Sequence, residues 1–143
     1  MSTSEIRWGR VIAAAVLSEA AITLLIVAII GAHRYVFAPG QSQAVYDAFA
    51  DHAAYYTAPA AAGVFAFLFA LWAGRPLTGA FVLNGILVGA VGVILTFGFY
   101  FAAAPDDRPM YLVSFVLRLV GGYAGGKTAE RAYGGRHGPL KTA

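Results

Sequence analysis

Residues 11–31 read VIAAAVLSEAAITLLIVAIIG: twenty apolar or small positions around one carboxylate, Glu19. A helix rises 1.5 Å per residue and a bilayer core is about 30 Å thick, so roughly 20 such residues span it. The stretch therefore predicts a membrane helix with a charge where water is absent. Glu19 then needs a partner, and finding one organises the rest of the reading.

Composition points the same way. The chain has 143 residues, 59% hydrophobic and only 12% charged, against about 25% charged in an ordinary soluble domain. A surface that poor in charge predicts lipid contact. With 0 cysteines, disulfides, thiolate metal sites and Cys nucleophiles are excluded. Further apolar runs at about 53–73, 77–100 and 109–127 complete the expected fold, an all-α polytopic bundle of four transmembrane helices in one domain. The fourth run, PMYLVSFVLRLVGGYAGGK, is interrupted by Arg118. Between the first two, QAVYDAFADHAAYY puts Val45, Phe49 and Tyr56 on one helical face and Asp47 with Asp51 on another. That pattern predicts a short amphipathic outer segment, lying at the interface or continuing helix two. The first apolar run exceeds a signal-peptide core and lacks a small-x-small cleavage site after it, so it is expected to stay in place.

Arg7, Arg10, Arg75, Lys127, Arg131, Arg136 and Lys141 fall on one side of this topology, Arg34 and Arg108 on the other. Lys and Arg near helix ends set orientation, which predicts cytoplasmic termini and a location in the plasma (inner) membrane. Tyr35, Tyr46, Tyr55, Tyr56, Tyr100 and Tyr111 gather at the opposite boundary, with Trp8, Trp72 and Tyr123 at the basic one. The basic tail, 128–143, has no nucleic-acid module and suits anionic headgroups.

Depth arithmetic supplies partners for Glu19. Counted from the basic side, Glu19 lies about 12 Å into helix one, Asn84 about 12 Å above Pro76, and Arg118 about 13 Å from Lys127. A charge at a helix centre costs about 2.5–3.5 kcal/mol, and an opposite charge offsets much of it. The expected polar level is a Glu19–Arg118 ion pair with Asn84 beside it, Thr23 on the Glu19 face and Ser114 on the Arg118 face. Gly85, Gly89 and Gly92 make helix three smooth; Gly121, Gly122, Gly125 and Gly126 do the same for helix four. Small residues let helices approach closely in lipid. Four helices this smooth are expected to enclose no sizeable cavity.

A four-helix chain with one glutamate in its first helix, within AVLSEAAIT (15–23), is similar in outline to the small multidrug resistance transporters. The likeness implies that Glu19 takes a proton or a cationic substrate within a dimer. It is an analogy of function, since Arg118, the long 32–52 connection and the strong Lys/Arg asymmetry depart from that family.

No catalytic triad, facing carboxylate pair or HExxH motif appears, so no enzyme is expected, and no cofactor. His33, His52, Asp47 and Asp51 do not converge as a metal site needs. Two readings of function remain. The first is a structural or accessory subunit whose polar level fixes packing, with a membrane protein or a second copy as partner. The alternative is a small oligomeric transporter or channel with Glu19 as a titratable site.

Overall fold

The structure, a computed structural model, describes residues 6–137. It is all-α. α1 runs Trp8–Ala32 and continues as a π-helical turn, His33–Phe37. α2 is Gln43–Gly74, α3 is Phe81–Ala102 and α4 is Arg108–Tyr133, followed by a 3₁₀ turn, Gly134–His137. α1 with its π turn, α2 and α3 are long and apolar enough to cross a membrane. α4 carries Arg118 at its middle and Lys127, Glu130 and Arg131 towards its end.

The chain runs up and down four times. α1 and α4 stand at diagonal corners, each packed on α2 and α3. One end of the bundle is basic: Arg10 reaches across α1 and α2 to the Trp72 carbonyl, 3.1 Å, with its guanidinium 4.3 Å from the Trp72 ring. The other end holds the tyrosines. Lys141, with residues 1–5 and 138–143, lies outside the described residues.

Of the two placements expected for the amphipathic segment, the structure has the second: Gln43–Tyr56 forms the first turns of α2. Pro59 sits inside α2 and is buried. It leaves the Tyr55 carbonyl without its usual donor, yet neighbouring packing carries the helix through. Two boundaries differ from those expected. α3 begins at Phe81 rather than 77, because Leu77 N–H closes a turn onto the Gly74 carbonyl and Ala80 adopts φ 52° at the N-cap. α4 passes Lys127 and ends at Tyr133, taking residues 128–133 out of the expected tail.

Glycine determines how α4 packs. Its Gly121 lies on the Gly63 carbonyl of α2, Gly125 on that of Phe67, and Gly122 on the Gly85 carbonyl of α3. A methyl group at Gly126 would come within 2.7 Å of the Phe81 carbonyl, and one at Gly89 within 2.5 Å of the Arg118 carbonyl. No side chain fits in those gaps, so backbone meets backbone. On α1, Val11, Ala14 and Ala15 join Ala70, Ala73 and Val88 in the main buried cluster.

Candidate functional site

Across the bundle's diagonal, Arg118 Nη1 of α4 donates to Glu19 Oε1 of α1. The Arg118 side chain is 7% exposed and that of Glu19 21%. α3 stands between the two helices, and Gly92 leaves the room: a methyl group there would lie 3.2 Å from Glu19 Oε1 and 3.4 Å from Arg118 Nη1. One turn lower, Gly89 admits the Arg118 backbone. Two glycines of one helix therefore set both the height of Arg118 and the space for its charge.

Asn84 is not at this level, contrary to the sequence-based expectation. Its Oδ1 accepts the Arg7 backbone N–H at 3.1 Å and its Nδ2 donates to the Ala80 carbonyl at 2.9 Å. It fastens the start of α1 to the start of α3. The depth count placed it wrongly because it began helix three at Pro76. With α3 starting at Phe81, Asn84 lies about 12 Å along the helix from Gly92, the α3 residue that does face the pair.

The ion pair is the floor of a cavity of about 690 Å³. It is a cleft half open to the outside rather than an enclosed cavity, so the glycine-smooth helices still leave a groove between them. The glycine contacts sit below Arg118; above it α4 presents Ser114, Phe115, Tyr111 and Met110, and the helices separate around the side chains. Asp51 and Tyr55 from α2 and Asp107 and Tyr111 from the start of α4 border the cavity towards the tyrosine end. Thr23, Thr96 and Ser114 line its wall.

Those hydroxyls differ. Thr23 donates to the Glu19 carbonyl at 3.0 Å, and Thr96 to the Gly92 carbonyl at 2.9 Å. Both are tied back to their own helices. Ser114, 6% exposed, has no hydrogen-bond partner among the described residues. Ser18 Oγ and Arg118 Nε, by contrast, are buried without a partner.

Sequence reasoning missed Asp51 and Asp107 as cavity residues and Gly63 as the seat of Gly121. The run AAAGV (60–64) was the available signal for Gly63. Nothing local marked the aspartates, which share a cavity only because α2 and α4 run parallel and both start at the tyrosine end. Among the described residues no three His, Asp or Glu side chains converge as metal ligands. His33 instead stacks on Phe49, with ring centroids 3.6 Å apart.

No known protein-family model, curated protein or solved structure matches this chain; its function has to be argued from the cavity and the charges beneath it.

Proposed function

We propose that this chain is a four-span integral membrane protein that binds a small solute in its cavity, as the binding unit of a small transporter. One observation carries the reading: the intramembrane Glu19–Arg118 pair forms the floor of a 690 Å³ cavity. Ligand sites commonly measure about 300–1,000 Å³. Charges within a bilayer characteristically face such cavities and mark substrate or ion paths.

Membrane insertion is supported by what the helices expose. Leu24 (69%), Val27 (60%) and Ile94 (72%) lie open on the outside, which suits hydrocarbon. α4 serves as the fourth span because Arg118 turns inward, leaving Leu112, Val113, Val116, Leu119 and Val120 on its outer face. The basic end faces the cytoplasm, by the Lys/Arg asymmetry, in the plasma membrane. The accessory-subunit reading is weaker: its glycine faces, meant for partner helices, are occupied by the chain's own α2 and α3.

The test is flux in proteoliposomes. Wild-type chain should carry protons or solute down an imposed gradient, and Glu19→Gln should stop it. Equal flux through empty and protein-bearing vesicles, across cationic, anionic and neutral solutes, rejects the proposal. Because the chain has no cysteine, single Ser42→Cys and Gly135→Cys variants report topology. An impermeant maleimide added to whole cells should label Ser42→Cys alone.

A further inference from the structure

We infer that the cavity takes an organic cation, held at its mouth by Asp51 and Asp107 and at its wall by Ser114. The inference rests on the solute-binding reading above and specifies its ligand.

Charge is the first argument. Glu19 and Arg118 neutralise each other at the floor. Asp51 and Asp107 line the same space, and their carboxylates have no ion-pair or hydrogen-bond partner among the described residues. The nearby cations face aromatic rings: the Arg108 guanidinium lies 5.8 Å from the Tyr100 ring and that of Arg34 5.0 Å from the Tyr46 ring. Neither guanidinium forms an ion pair with Asp51 or Asp107, so both carboxylates stay open to an incoming cation.

The walls give the second argument. Tyr55 and Tyr111 accompany the two aspartates, and ring faces attract ammonium groups. Beside them Phe99, Phe115 and Met110 offer an apolar lining. A hydrated inorganic ion gains little from such walls; an amine with a hydrocarbon body gains from both.

Ser114 gives the third. The residue is 6% exposed, borders the cavity and lacks the back-bond that Thr23 and Thr96 make. Its hydroxyl is therefore free to bond a ligand hydroxyl or carbonyl. Asp107 and Ser114 are about 10 Å apart along α4. The ligand then has an ammonium at one end, an apolar middle and a hydrogen-bonding group at the other.

Four probes of one size separate these arguments: tyramine, phenethylamine, 4-ethylphenol and 4-hydroxyphenylacetate. Binding is measured by titration calorimetry on the full chain in lipid nanodiscs. Tyramine should bind about fivefold more tightly than phenethylamine, for the hydroxyl. It should bind at least about tenfold more tightly than the neutral or anionic analogue, for the charge. Asp51→Asn with Asp107→Asn should erase the preference for amine over 4-ethylphenol. Both aspartates are exposed, so the fold should survive, with circular dichroism as the check. Ser114→Ala should erase only the difference between tyramine and phenethylamine. An anionic analogue that binds as well as tyramine, or a double Asn variant that keeps the amine preference, overturns the inference. So does failure of all four to bind. If Glu19-dependent proton flux persists in that case, the transporter reading stands and only its ligand is wrong.

Discussion

In its basic half the bundle brings α4 onto α2 and α3 backbone to backbone, whereas in its tyrosine half the same three helices stand apart around a cavity. The sequence of α4 changes character at the same point. Below Arg118 it presents Gly121, Gly122, Gly125 and Gly126 inward; above it, Ser114, Phe115 and Tyr111. Within lipid no hydrophobic effect drives helices together, so close packing must hold them. One half of α4 supplies that packing and the other borders the open space above the ion pair. The Glu19–Arg118 pair marks the boundary, where Gly89 and Gly92 are the last small residues of α3 before Thr96.

The largest effect should come from breaking that boundary. Arg118→Ala leaves Glu19 facing the interior alone and should lower stability by about 3 kcal/mol, read as thermal or denaturant unfolding in detergent. Adding Glu19→Gln to Arg118→Ala should return more than half of the loss. A double variant whose losses simply add would show that the two side chains are not coupled.

Next comes the closed half itself. Gly121→Ala drives a methyl group into the Gly63 carbonyl and should cost about 1–3 kcal/mol. Gly98→Ala, with nothing within 4 Å, should leave stability unchanged or raise it by up to about 1 kcal/mol through helix propensity. Equal responses from the two glycines would break the comparison between the halves. Asn84→Ala should cost about 1 kcal/mol for its lost bonds to Arg7 and Ala80, without altering flux, since it lies away from the ion pair. The smallest change in stability belongs to the open half. Ala58→Leu, on the cavity wall, should alter unfolding by less than about 1 kcal/mol while abolishing ligand binding. A large stability loss there would mean the cavity wall is packed as tightly as the glycine half.

Apolar period and length were enough to read an all-α chain and its antiparallel order, because helix-forming runs and turns are local properties; that the amphipathic segment continues α2 was one of two alternatives they left open. The meeting of Glu19 with Arg118 was legible for a related reason: an apolar surround leaves a lone charge few acceptable environments, and opposite charges at comparable depth supply one. Asn84 was misplaced because depth was counted from an assumed helix start. The left-handed Ala80 and the turn at Leu77 move that start by about one helical turn. Such capping depends on contacts that Pro76 and its neighbours do not announce.

By itself the sequence determined the number of helices, their order, the basic and tyrosine ends, and which residues carry charge into the apolar interior. The tertiary structure alone decided that α1 and α4 sit diagonally, that Gly92 makes room for their ion pair, and that Asp51, Asp107 and Ser114 border one cavity. Hydrophobic patterning acts along a single helix and is written in its residues. Space between helices arises from how four surfaces meet, and no one segment encodes it.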